Sequence, residues 1–383
     1  LMKKRKELLK FFSGIIFSAA CMGCVMITPV AAAPSAGDAV TNFSVRLFQA
    51  SKTPGSSTLV SPFSVLSALS MTANGADGIT LAQMEETFGI SVKELNDYFN
   101  KYLSEQNDSL SVANSIWLNE HSGLLVSPDF TETVTDFYQS EVFEEPMNGE
   151  TLDKINGWVN EKTEGMIPEI LDEIQPDTLM YLLNTLAFQA KWETAYEADD
   201  VFSGTFISED GTEQETDMMR STESVWLEGD GAQGFLKYYE GGRYAFAALL
   251  PDEGTSLDDY MGSLTGEKLS EILSQQKKGY TVHAVIPKFR SETSKELSET
   301  LESLGITDAF SEQADFSRMY STAGNPGVKI SEVVHKTFID VNEQETKAAA
   351  ATEVGIVETA LITDDSEKYI SLDRPFLYML VDC

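Results

Sequence analysis

The chain has 383 residues, with 27 Lys and Arg against 61 Asp and Glu, a formal net charge of −34. Hydrophobic residues at 42% and aromatics at 10% suffice for a large buried core, which excludes a mainly disordered chain. A surface this acidic repels phosphate backbones and anionic lipid heads, and no basic patch follows residue 10, so nucleic-acid and membrane-surface partners are not expected.

The first residues read Leu1-Met2-Lys3-Lys4-Arg5-Lys6, then Glu7 and Lys10, and no further charge occurs before Asp38. Phe11 to Ala33 is apolar and ends in Val30-Ala31-Ala32-Ala33. A basic start, an apolar middle and a small-residue end predict an export signal over 1–33, cut near Ala32 or Ala33. The apolar run is also long enough for a retained membrane anchor, which is the competing reading. Cys21 and Cys24 are weak lipidation candidates, since neither has a leucine three residues before it. The cut would remove five basic residues and one acidic one, leaving −38. It would also leave Cys383 as the sole cysteine, so no internal disulfide is expected and stability must come from the core.

From Asp38 onward there is neither repeat nor low-complexity linker, so 34–383 is read as one domain. Val40, Phe43, Leu47 and Phe48 share one helical face. Thr80 with Gln83, and Ser91 with Glu94, have the spacing of capping boxes, and Gly89 stands where a helix C-cap belongs. Leu110, Val112, Asn114, Ile116 and Leu118 alternate as in a strand. Thr151 opens a helix with the stripe Ile155, Trp158 and Val159. Met180, Leu182, Asn184, Leu186, Phe188, Ala190 and Trp192 form one face of a long strand. Tyr280 to Ile286 and Val328 to Val341 are further strands, and Leu297, Leu301 and Leu304 mark a helix ended by Gly305. Long strands mixed irregularly with helices predict an α+β fold rather than regular βαβ winding.

Catalytic signatures are missing: there is no G-x-S-x-G elbow, Walker loop, G-x-G-x-x-G or H-E-x-x-H. His121, His283 and His335 lie far apart, with no metal-ligand spacing. His283 sits in an alternating strand and reads as a satisfied structural histidine. The chain is not expected to be an enzyme or to need a cofactor or metal.

One segment departs from an ordinary domain. A strand ends near Asn342, and strand pattern resumes only near Tyr369, so 343–365 is a long loop of the kind that is usually functional. Its alanine run favours a short helix by propensity. It also has a period of two: Thr346, Ala348, Ala350, Thr352, Val354 and Ile356 are small or β-branched and uncharged, whereas Lys347 and Glu353 fall in the other set. Such a segment is suited to slide between existing strands with one face buried.

Here the chain resembles the serpin family. Glu343, Thr346 and Ala348-Ala349-Ala350-Ala351-Thr352 look like the hinge of inhibitory members. Further blocks follow in order: Ser61-Pro62-Phe63-Ser64, Gly75-Ala76-Asp77-Gly78-Ile79-Thr80, Val112-Ala113-Asn114 and Ile155-Asn156-Gly157-Trp158-Val159. Leu183-Asn184-Thr185-Leu186-Ala187-Phe188, Ile286-Pro287-Lys288-Phe289, Leu304-Gly305-Ile306-Thr307-Asp308-Ala309-Phe310 and His335-Lys336 continue the series.

The resemblance implies the serpin fold, with three β-sheets, about nine helices and an exposed reactive-centre loop over about 343–365. It implies a secreted, monomeric suicide inhibitor that forms a covalent acyl complex with a target serine protease and traps it by inserting the cleaved loop into the central sheet. Residue by residue, Ser61, Ser64, Asn184 and His335 match the polar cluster (the shutter) beneath the opening of that sheet. Trp192, Lys288 and Glu343 match the breach at its top, where Glu343 and Lys288 would pair. The family's loop spacing puts the reactive bond between Thr359 and Ala360, with Glu358, Ala360 and Leu361 as alternatives for the acyl-side residue. A small residue there suits an elastase-like or subtilisin-like protease. The acidity argues against the heparin assistance known for some members.

Two departures stand out. Glu345 occupies a hinge position usually held by glycine, whose conformational freedom eases insertion, so a merely cleavable, carrier-type serpin is the alternative. The family's last buried strand is also not found after Phe376-Leu377-Tyr378-Met379-Leu380-Val381-Asp382. Together with the Leu1-Met2 start, this predicts a fragment.

Overall fold

The computed structural model describes residues 35–53, 55–105, 109–175, 178–321, 327–331, 333–343 and 366–383. The predicted signal, the reactive bond at Thr359 and Ala360, and the hinge residues Glu345, Thr346, Ala348 to Ala351 and Thr352 lie outside them.

Nine α-helices occur among the described residues: α1 (Ala36–Ser51), α2 (Pro62–Ala73), α3 (Gly78–Phe88), α4 (Val92–Ser104), α5 (Pro128–Tyr138), α6 (Gly149–Lys162), α7 (Leu257–Ser263), α8 (Gly266–Ser274) and α9 (Ser298–Ser303). The strands are β1 (Leu110–Asn119), β2 (Glu141–Glu145), β3 (Met180–Phe188), β4 (Val201–Ile207), β5 (Glu213–Gly229) and β6 (Ala232–Tyr238). They continue with β7 (Tyr244–Pro251), β8 (Lys277–Pro287), β9 (Phe289–Glu296), β10 (Val334–Val341), β11 (Glu367–Ser371) and β12 (Leu377–Asp382). The architecture is α+β, as predicted.

Three sheets result. One has the order β2-β1-β3, a second pairs β10 with β9, and the largest runs β11-β8-β5-β6-β7-β12 with β4 also on β5. β5 can serve so many neighbours because its ladder to β8 shifts register between Glu223 and Val225. Its first half meets β4 and its second half β6. Every residue of β7 is buried, the unbroken apolar run expected of a strand covered on both faces. Against it, Gly234 of β6 lies so close that a Cβ would sit 1.9 Å from the Ala248 carbonyl oxygen. Because backbone cannot yield as a side chain does, Gly234→Ala is expected to cost about 3 kcal/mol or more, read as a lowered unfolding midpoint.

Local signals translate well. Ser91 and Glu94 form the predicted capping box at α4, and Gly89 closes α3 with φ 75°. Four expectations need correction. Thr80 and Gln83 form no cap: α3 begins after Asp77, the Thr80 hydroxyl accepts from Asp315 N–H, and the Gln83 amide oxygen accepts from Thr307 and Asp308 N–H. The strand predicted over Met180 to Trp192 stops at Phe188. Its more deeply buried face is Tyr181, Leu183, Thr185 and Ala187, because helix α6 covers that side, and the alternate set is half-buried. The strand predicted over Val328 to Val341 begins only at Val334, since Ile330 N–H is drawn to the Ala309 carbonyl. The helix predicted to open at Thr151 is capped earlier by Asn148.

Candidate functional site

β3 and β10 belong to different sheets, and no backbone ladder joins them among the described residues. Yet their side chains meet. Val334 packs with Tyr181 and Leu183 near one end, and Ile339 and Val341 share a cluster with Leu186 and Phe188 near the other. The result is a seam between two strands that are neighbours in the core but not hydrogen-bonded partners. Such strand edges are templates for an added strand.

A polar cluster lies under the lower part of the seam. Ser61 caps α2, whose first residue is Pro62, and its Oγ and that of Ser64 are 3.0 Å apart. The Ser61 backbone N–H donates to His335 Nε2 at 3.0 Å, so this nitrogen must carry a lone pair. Burial pushes the His335 pKa down to about 4, in keeping with a neutral ring. The predicted fourth member, Asn184, makes its bond elsewhere: its Nδ2 donates to Asn114 Oδ1 at 2.8 Å. Asn114 also accepts from the Ser67 hydroxyl at 3.2 Å and donates to the Tyr138 carbonyl at 2.7 Å, which ties α2, β1, β3 and the end of α5 together. Asn114 was absent from the residues assigned to the site on sequence, although the block Val112-Ala113-Asn114 pointed to it. Asn184 Oδ1 is buried without a partner among the described residues.

The upper end brings the other predicted trio together. Register places Val341 opposite Phe289, so Lys288 in the turn before β9 faces the chain leaving β10. Lys288 Nζ stands 2.8 Å from Glu343 Oε1 and 2.7 Å from Oε2. The hydrogen bond from Lys288 holds Glu343 below the usual carboxylate range, and the same bond holds Lys288 above the usual ammonium range. Both side chains are about a third exposed, so solvent screening limits the pair to roughly 1 kcal/mol or less. It aims the chain more than it anchors it. Trp192 Nε1 donates to the Asn342 carbonyl at 3.0 Å, just before Glu343. Its ring stacks on Tyr239, centroids 4.4 Å apart and planes 12° from parallel.

Of the two histidines outside the seam, His283 is hydrogen-bonded, though not buried. His283 Nε2 lies 2.6 Å from Glu367 Oε2, and the ring stacks on Tyr369 across the β8–β11 ladder. His121 is exposed on a turn beside Glu120. Among the described residues, no group of three or more His, Cys, Asp or Glu side chains is placed to hold a metal ion.

A seam with no ladder among the described residues, a polar cluster beneath it and the Lys288–Glu343 pair at its upper end are features of a strand-edge site rather than a small-molecule pocket. The family profile described as serpin (serine protease inhibitor) matches residues 38–383, and the chain belongs to the serpin family. An uncharacterized serpin-like protein of Thermococcus kodakarensis is 30% identical over 358 residues, 90% of this chain and 82% of the relative. Leukocyte elastase inhibitor A of Mus musculus is 30% identical over 362 residues, 89% and 93% of the two chains. Among solved structures, the thermophilic serpin tengpin in its native state superposes with a TM-score of 0.81 at 41% identity, over 90% of each chain.

Proposed function

We propose that this protein is an exported suicide-substrate inhibitor of serine proteases, and that residues 344–359 form the strand that fills the β3–β10 seam after cleavage. The single observation that carries the reading is the seam itself, with Glu343 tethered by Lys288 at its upper end. In the first step the target's serine Oγ attacks the carbonyl carbon of Thr359. The Thr359–Ala360 amide breaks, the nitrogen of Ala360 leaves with a proton, and Thr359 is held as an ester on the protease. Insertion then adds ladder hydrogen bonds on both sides, each worth about 1 kcal/mol net, and buries the small set Thr346, Ala348, Ala350 and Thr352. The attached protease is dragged along, its oxyanion hole is distorted, and the ester outlives its normal hydrolysis.

The small acyl-side residue favours an elastase-like or subtilisin-like target. The test is incubation with an elastase-like and, separately, a chymotrypsin-like protease, followed by a denaturing gel. A band at the summed mass supports the proposal, and a clipped band alone refutes it. The mass of the C-terminal piece locates the bond. Glu345 favours the second reading, a carrier-type serpin with a merely cleavable loop, and the clipped band is its signature.

A mature net charge of −38, after loss of the signal, predicts attraction of a cationic protease toward the loop. The association rate is expected to fall severalfold between 0.05 and 0.5 M salt, scales at which the Debye length drops from about 14 to about 4 Å. A rate flat across that range, measured by progress curves, contradicts steering.

A further inference from the structure

Lys237 is a charged side chain in the middle of β6 and is only 1% exposed, one of the most deeply buried charges of the described residues. Its ammonium donates to Glu223 Oε1 at 2.9 Å and to the Thr194 carbonyl at 3.1 Å. It also lies 4.4 Å from the ring centroid of Tyr196 and 5.3 Å from that of Trp192. Glu223 is itself mostly buried, at the point where the β5–β8 register shifts. Core lysines are rare unless paired, and two hydrogen-bonded charges in an apolar cluster give little net stability compared with hydrophobic residues of the same shape. What the pair provides is geometry. Lys237 joins β5, β6 and the segment after β3, and its contacts converge on the ring whose Nε1 grips the Asn342 carbonyl.

We propose that Lys237, paired with Glu223, is a positioning residue that orients Trp192 and thereby sets how firmly the chain is held at Asn342, the point from which the hinge departs. The cation contacts the rings of Tyr196 and Trp192, and Trp192 also stacks on Tyr239, so three groups restrain the indole. Without the charge, Trp192 loses the contact that keeps its Nε1 directed at Asn342. The link to hinge release rests on the inhibitor reading above; the link to Trp192 does not.

The experiment uses the full chain, labelled with nitrogen-15, and follows exchange of the four indole N–H groups of Trp117, Trp158, Trp192 and Trp226, with Trp192→Phe as the assignment control. Lys237→Met alone leaves Glu223 buried and unpaired, so the decisive variant is Lys237→Met with Glu223→Gln, which removes both charges and keeps the volumes. The Trp192 indole is expected to exchange about fivefold faster or more, with the other three unchanged, the pattern of local rather than global opening. An unchanged Trp192 signal, or all four accelerating together, overturns the positioning role. In a second arm, uncleaved protein is warmed and loss of loop cleavage by added protease is timed. The double variant is expected to convert to the protected form several times faster than the parent. Selective indole acceleration with an unchanged conversion rate overturns control of the hinge. If the parent shows neither conversion nor a covalent complex, the inhibitor reading fails, while the indole result still decides the role of Lys237.

Discussion

Thr346→Arg is expected to abolish the covalent protease complex while leaving cleavage of the loop intact. Thr346 heads the alternating uncharged set that runs through Ala348, Ala350 and Thr352, and in the inserted strand that set faces inward. An arginine there would carry an unpaired charge into the core on insertion, which costs several kcal/mol and opposes it. Acylation is expected to be unaffected, because the proposed reactive bond at Thr359 lies 13 residues further on. The ester is then hydrolysed before the strand seats, and complex yield falls by about tenfold or more. Densitometry of a denaturing gel decides the matter: an undiminished complex band places the hinge elsewhere.

The second large effect is acid sensitivity through His335. In the folded protein its pKa is pushed down to about 4, against 6.5 in an open chain. Between those values the unfolded chain binds the extra proton, so folding stability is fully present above 6.5 and declines as pH falls toward 4. The whole effect amounts to about 3 kcal/mol. A proton on Nε2 would also break the bond from Ser61 N–H, loosening the start of α2 beneath the seam. Many carboxylates titrate in the same window, so the measurement is a difference. Urea unfolding of the parent and of His335→Gln at pH 7 and pH 4 is expected to show the parent losing about 3 kcal/mol more than the variant. Parallel losses would mean that His335 is not neutral and buried in the folded state.

How much of this was legible in the chain depended on how local the cause was. The Ser91–Glu94 cap and the Gly89 turn are decided within a few residues, and both were readable. Thr80 and Gln83 carry the same spacing, but their partners are Thr307, Asp308 and Asp315, more than 200 residues away, and no local rule sees that competition. The buried face of β3 was misjudged because both sides of the strand are covered, so alternation does not tell which side is deeper. The residues of the seam came from the family resemblance rather than from any pattern of their own: a histidine in a strand looks the same whether or not a serine amide points at it. Asn114 was quoted within a matching block but not given a role, since its importance lies in the three bonds that only the packed structure brings together. Lys237 was invisible for a related reason, as a lysine in a strand reads as solvent-facing.

β11 and β12 follow the loop, and each is laddered to a strand that precedes it, β11 to β8 in parallel and β12 to β7 in antiparallel. Arg243 adds an ion pair to Asp382, and His283 a 2.6 Å hydrogen-bond contact to Glu367. A nick at the proposed Thr359–Ala360 bond would therefore yield two polypeptides held in a single particle, expected to run with intact protein on gel filtration. If the cut falls at the proposed bond, the amine of Ala360 would remain covalently joined to β11 through a few residues, so its effective concentration would favour resealing. In the proposed mechanism, carrying the acyl half away from Ala360 would separate the two cut ends at the same time as it disables the protease.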